Sequence, residues 1–185
     1  MRLLAITIIL AGVVAGAARA NDRSAYIAQV GDANEARIDQ SGSRASARID
    51  QSGRGNVAVV TQSRSLDVMA ATRQQGDDNR VTAWQQADAA VLAVDQTGAR
   101  NRASIQQDGT ALLGTVSQQG DDNRIVLVQD GSDQEATLAQ NGDGNLMDVM
   151  QTGAGARLSW VQNGDNLAMS ISQTGNTPIQ VTQTR

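Results

Sequence analysis

Fifteen glutamines in this chain share one spacing: Gln29, Gln40, Gln51, Gln62, Gln74, Gln85, Gln96, Gln107, Gln118, Gln129, Gln140, Gln151, Gln162, Gln173 and Gln183. The steps are 11 residues, except for one of 12 (Gln62 to Gln74) and one of 10 (Gln173 to Gln183). A carboxamide both donates and accepts hydrogen bonds. Repeated at a fixed interval, it can bond to copies of itself, which is the chemistry of a stacked amide ladder. Asparagines form a second series. Asn34, Asn56, Asn79, Asn101, Asn123 and Asn145 each stand five places after every second glutamine, and Gly31, Gly53, Gly76, Gly98, Gly120 and Gly142 each precede one by three. Gly and Asn tolerate the positive φ of a tight reversal. Because the Gly-x-x-Asn turn recurs at alternate glutamines, the true period is 22; the phrase QQGDDNR accordingly stands unchanged at 74 and at 118.

Other chemistries fit less well. The sequence contains no His and no Cys. That removes the Ser-His-Asp triad, the cysteine nucleophile, the commonest zinc sites and any disulfide framework. Asp77-Asp78-Asn79, Asp121-Asp122-Asn123 and Asp143-Gly144-Asn145 put oxygen ligands into turns, as calcium sites do. Calcium rolls, however, repeat every nine residues with paired glycines, and here the acids occupy only some turns. Asp39 and Asp50, the pair a solenoid glycosidase would need, lie half a unit apart and are expected on opposite sheets as solvated outer charge. An ice- or polysaccharide-binding solenoid requires a regular outward row. The outward positions are irregular, with Glu35/Arg37/Asp39 on one strand, Val57/Val59/Thr61 on another and Arg80/Thr82/Trp84 on a third. No catalytic, metal or cofactor site is expected.

The elements that must position the amides follow from the residues before them. Two and four places ahead of the fifteen glutamines stand 30 residues, beginning Ala25/Ile27 and Ala36/Ile38 and ending Ile179/Val181; of these only Thr72 has a polar side chain. Charged residues fall on the alternate positions. Period-2 segregation of this kind marks half-buried strands rather than helices. Inward apolar, inward apolar, inward glutamine and turn therefore recur fifteen times. The expected fold is all-β: a two-sheet β-solenoid of 22-residue strand-turn-strand-turn units, about seven and a half rungs stacked roughly 4.8 Å apart. A lone rung, with four inward side chains that are often alanine, cannot offset the ordering of 22 backbones, so each rung depends on its neighbours. No segment of the sequence looks like a cap, so both ends are expected to expose open strand edges on which another molecule can pair.

Residues 1–20 stand apart. Arg2 is followed by an apolar run over 3–18 and by Ala18-Arg19-Ala20, the pattern of a secretory signal peptide cut before Asn21. The expected organisation is a cleaved leader (1–20), a short segment (21–24) and the repeat array (25–185), with no integral membrane segment. Loss of Arg2 and Arg19 leaves 13 arginines against 19 acids, a net charge of −6. A chain so acidic, with scattered Arg, is a poor candidate for nucleic-acid binding.

The pattern Q-x-G-x-x-N-x-A-x-I/V-x-Q, written here as QVGDANEARIDQ (29–40) and QTGARNRASIQQ (96–107), resembles the curlin repeat of bacterial curli subunits. The resemblance implies a secreted protein that polymerises at the cell surface into functional amyloid supporting adhesion and biofilm matrix. It implies partners too: further copies of the chain, other curlin subunits, an outer-membrane secretion pore and chaperones. The fifteen glutamines and six asparagines are then the self-assembly positions, with the six glycines as turn residues. The serine that often opens the family's repeat is missing where Ala45, Val68, Ala90 and Leu112 stand. The ending VTQTR resembles the minor, nucleating curlin, which is preferred over the major subunit.

Overall fold

The computed structural model describes residues 4–20, 22–64 and 66–185. The expected leader cut before Asn21, the basic Arg2 and the middle of the irregular 63–67 step at Ser65 fall outside the described residues. Every element is a strand: β1 (Leu4–Ala20), β2 (Arg23–Gln40), β3 (Ser43–Arg54), β4 (Val57–Gln62), β5 (Leu66–Asp77), β6 (Arg80–Asp88), β7 (Val91–Ala99), β8 (Arg102–Thr110), β9 (Leu113–Gln119), β10 (Arg124–Ser132), β11 (Glu135–Asn141), β12 (Leu146–Ala154), β13 (Arg157–Asn163), β14 (Ala168–Thr174) and β15 (Ile179–Thr184).

The strands make a β-solenoid. Odd strands β3 to β15 stack in one column and even strands β4 to β14 in the other, each parallel and in register. The long β2 forms both sides of the first rung: its first half pairs with β3 and its second half with β4. The two expected sheets are thus one hydrogen-bonded path joined through β2. Register puts like on like, with Ile27 beside Ile49, Gln129 beside Gln151 and Gly131 beside Gly153.

The alternation seen in the sequence is the alternation of burial. Ala25, Ile27, Ala36, Ile38 and their counterparts as far as Leu158 and Trp160 form one continuous core between the columns. Ala45, Val68, Ala87, Ala90 and Leu112 form a smaller core inside the second turn, where the sequence pattern predicts only a turn. Four of them, Ala45, Val68, Ala90 and Leu112, are the positions where the family's serine is missing, and apolar side chains filling the turn interior account for the departure. The 12-residue step is explained here as well. Val68, not Asp67, aligns with Ala45, so the extra residue is taken up before Leu66. Asp67 turns outward and pairs with Arg44 at 2.7 Å.

The two ends differ. In the full chain β1 lies antiparallel along β2, from Leu4 beside Gln40 to Ala20 beside Arg23, with one irregularity between Leu10 and Gly12. The expectation of two open edges therefore fails at the first rung while residues 4–20 are present: a strand-forming apolar segment adjacent in sequence satisfies that edge. At the other end β14 and β15 have no further neighbour, and inward-facing Met169 is left 38% exposed. The missing residue of the 10-residue step lies in the last turn: Thr152 aligns with Thr174 but Leu158 with Ile179.

Trp160 is the largest side chain in the core, fully buried, and its indole Nε1 has no hydrogen-bond partner. Trp160→Ala should therefore cost about 3–5 kcal/mol by leaving a cavity. Trp160→Phe should cost much less, since no hydrogen bond is lost. Urea unfolding of the unassembled chain, followed by far-UV circular dichroism, measures both.

Candidate functional site: a directional amide ladder

Each ladder glutamine is the third inward residue of its strand, so its amide sits at the end of the core, against the turn. In the odd column the Nε2 groups of Gln29, Gln51, Gln74, Gln96, Gln118, Gln140 and Gln162 each donate to the Oε1 of the next glutamine toward the C-terminus, ending at Gln183. The even column runs the same way from Gln40 through Gln62, Gln85, Gln107, Gln129 and Gln151 to Gln173. All these bonds measure 2.7–3.0 Å. The second proton of the amide bonds a backbone carbonyl 16 or 17 residues earlier, in the opposite column: Gln51 to Glu35 at 3.1 Å, Gln74 to Val57 at 3.2 Å, Gln118 to Arg102 at 3.2 Å. One side chain thus ties rung to rung and column to column.

The asparagines hold the first turn. Asn56 Nδ2 donates to the Gly76 carbonyl one rung on at 2.7 Å, while Asn34 Oδ1 accepts the Asn56 backbone N–H at 3.0 Å. The arrangement repeats through Asn79, Asn101, Asn123 and Asn145, whose Oδ1 caps the Leu167 N–H at 2.9 Å. The turn glycines are there because the rungs stack through them: Gly98 has φ +117°, and a Cβ on it would collide with the Gly120 carbonyl oxygen.

Two features went unread in the sequence. Gly109, Gly131 and Gly153 stack in the second turn as closely as the first-turn glycines do. Their signal was available, since each stands two places after a ladder glutamine, as Gly31 does. Gln134 stands in the second-turn column and imitates an asparagine, donating to the carbonyls of Asp130 and Gly153, both at 3.0 Å. Its Oε1 stays buried without a partner.

The acids of the first turn bond to backbone. Asp77, Asp121 and Asp143 accept the N–H of Arg54, Ala99 and Asp121 respectively, each one rung earlier. Among the described residues no group of three or more carboxylates is placed to hold a metal ion. Asp39 and Asp50 lie in opposite columns, each beside an arginine, Arg37 and Arg48. Arg100 grips Asp122 through two bonds of 2.8 and 2.7 Å, and the hydrogen bond holds the Asp122 carboxyl below its ordinary range. The Arg100–Asp122 pair is solvent-exposed and adds little to stability, whereas Asp39 is mostly covered, with its Oδ1 buried and unpartnered.

The ladder has unlike ends. At the first rung Gln29 Oε1 and Gln40 Oε1 are buried acceptors without a partner. At the last rung the donor of Gln173 turns back on the Thr177 carbonyl at 2.6 Å, and Gln183 accepts from Gln162 with no later glutamine to receive its own amide.

Gln96→Ala would strand the Gln74 donor, the Gln118 acceptor and the Arg80 carbonyl, at about 1–3 kcal/mol for each group left buried. Outward, exposed Thr137→Ala should stay within about 0.5 kcal/mol. Gly98→Ala should prevent the native stack altogether. Chemical unfolding of the three variants, read side by side, tests this ordering.

The family profile described as Curlin associated repeat matches residues 20–52, 98–131 and 120–153. No curated protein and no solved structure matches the chain significantly. The matched segments carry the same ladder glutamines, turn glycines and asparagines that the structure stacks in register along its length, and the chain belongs to the curlin-repeat family.

Proposed function

We propose that the chain is a self-assembling subunit of an extracellular curli-type amyloid fibre, exported with loss of residues 1–20, and that it acts as a minor, nucleating subunit. The observation that carries the reading is the directionality of the ladder. A stack whose first rung offers two orphan amide acceptors, and whose last rung leaves the Gln183 amide uncommitted and that of Gln173 turned back on the Thr177 carbonyl, is complementary to itself end to end. Gln183 of one copy supplies a donor at the pitch and register that Gln29 of the next copy lacks, and Gln173 does the same for Gln40 by exchanging its bond to the Thr177 carbonyl. Backbone pairing along β14 and β15 provides the adhesion, and the amides reject a register slipped by one residue.

The curlin family consists of secreted surface-fibre components and is not an enzyme family. Among the described residues no helix is long and apolar enough to cross a membrane. Adhesion and biofilm support are the roles such a fibre serves, with an export pore, chaperones and other curlin subunits as partners. The nucleating assignment rests on the VTQTR ending and on the short 21–24 segment before the repeats.

Residues 21–185, diluted from denaturant and followed by thioflavin fluorescence, should polymerise with a lag that preformed seeds abolish. Gln29→Ala should slow elongation several-fold and Thr137→Ala should not; equal rates would remove the ladder from the mechanism. The intact chain 1–185, whose first rung is covered by β1, should elongate more slowly than 21–185. Trace amounts added to a major curlin subunit should shorten that subunit's lag.

A further inference from the structure

The outer face of the even column holds a feature that the end-to-end ladder does not use. Arg80, Arg102 and Arg124 open strands β6, β8 and β10 and stand side by side in strict register. All three are exposed, and among the described residues no carboxylate lies within ion-pairing distance of any of them. Four other arginines are ion-paired, Arg37 with Asp39, Arg44 with Asp67, Arg48 with Asp50 and Arg100 with Asp121 and Asp122, and three more stand in register beside an acid rather than another arginine: Arg54 beside Asp77, Arg73 between Asp50 and Asp95, and Arg157 beside Glu135. Three stacked guanidinium groups one rung apart repel one another, and although the charge of Arg102 reaches Asp122 in the adjacent turn, none of the three is held in an ion pair. The next residues outward on the same strands are Thr82 and Ser104, which line a shallow groove with the three arginines. Beyond them in register lie Trp84, half-buried, and Gln106.

We propose that this groove binds a linear carboxylated polysaccharide, a chain of hexuronic acids lying along the stack. A guanidinium takes a carboxylate through two parallel hydrogen bonds. The spacing of the column, one rung or roughly 4.8 Å, is close to the advance of a uronate chain per sugar. Thr82, Ser104 and Gln106 offer hydroxyl and amide partners for sugar hydroxyls, and the Trp84 ring offers an apolar surface to a sugar face. A nucleic acid fits less well. The chain is net acidic, and a single-strand groove needs a series of aromatic platforms where this face has one tryptophan. The outward sets Glu35/Arg37/Asp39, Val57/Val59/Thr61 and Arg80/Thr82/Trp84 of this column look irregular because the arginine run begins only at the third.

The test uses the chain 21–185, both unassembled on a surface and as fibre, with fluorescent polygalacturonate as probe and neutral dextran and duplex DNA as comparisons. Polygalacturonate should be retained, dextran should not, and retention should fall steeply between low and high salt. The triple variant R80Q/R102Q/R124Q should bind roughly tenfold more weakly, while R37Q/R48Q, which removes two matched arginines, should bind as the parent does. Thioflavin growth curves recorded in parallel report assembly separately, since the arginines lie on the side of the stack. Should the triple variant fail to fold, R102Q alone, read on the unassembled chain, should still lose about two- to threefold. Equal binding by parent and variants, equal retention of dextran, or preference for DNA over polygalacturonate would each overturn the proposal.

Discussion

Everything in this molecule depends on parallel, in-register stacking at the pitch of one rung. Once neighbouring strands are parallel and unshifted, each side chain has a copy of its column for a neighbour, and each residue type is judged by how it tolerates its own company. Isoleucine, valine and alanine pack on themselves without penalty. Glutamine and asparagine do better, because a carboxamide is its own complement. Charged residues inside the column are costly, and Arg23, which stands on the inward side where β2 begins, is buried only with its guanidinium donating to the Gln40 carbonyl at 3.1 Å. Glycine is required where two turns touch backbone to backbone, as Gly98 does on Gly120. The 22-residue sequence period is the trace of this one geometric condition.

The condition also sets a polarity. An amide that donates toward the C-terminus at one rung leaves its oxygen facing the N-terminus, so the next amide must be oriented alike, and thirteen consecutive bonds in two columns share one sense. A solenoid without such side chains could in principle pair its ends in several registers. Here the terminal acceptors Gln29 and Gln40, the free amide of Gln183 and that of Gln173, which can leave the Thr177 carbonyl, make one pairing satisfactory and leave buried polar groups in the others. The apolar strand β1 offers that first rung a backbone partner yet leaves both of its amide oxygens unmatched, so it is a poorer neighbour than another rung.

Much of this was legible in the sequence because the repeating unit is short and the burial rule strict. Period 2 gave the strands, period 11 the glutamines and period 22 the two kinds of turn. What was not legible has physical reasons. The second-turn core of Ala45, Val68, Ala90 and Leu112 escaped notice because a turn is ordinarily read as solvent-facing, whereas a solenoid turn has an inside. The alignment of Val68 rather than Asp67 with Ala45 needed coordinates, since a one-residue insertion can be absorbed anywhere between Gln62 and Gln74. The direction of the amide bonds was invisible, because a glutamine reads the same whichever way its amide points. Hydrogen bonding by the first-turn acids was likewise hidden, for a carboxylate in a tight turn looks equally suited to a metal.

The outer surface obeys a looser version of the same rule, and that is where individuality enters. Inward columns must match along the whole stack, but outward columns need only avoid ruinous repulsion. They therefore drift from Glu35 through Val57 to Arg80, and from Met69 through Val91 and Leu113 to Glu135. Drift makes any short outward run of identical residues conspicuous. For apolar residues such a run is neutral or favourable and carries little information. For arginines it is unfavourable at every step, and the cost is ordinarily removed by an acid at hand, as with Arg48 and Asp50 or Arg100 and Asp122. Where three arginines stack and that remedy is absent, the charge that balances them has to come from outside the chain. A fibre repeating this chain would present such a column once per subunit, always on the same side, so that weak single sites add along the fibre axis wherever a long polyanion spans several of them.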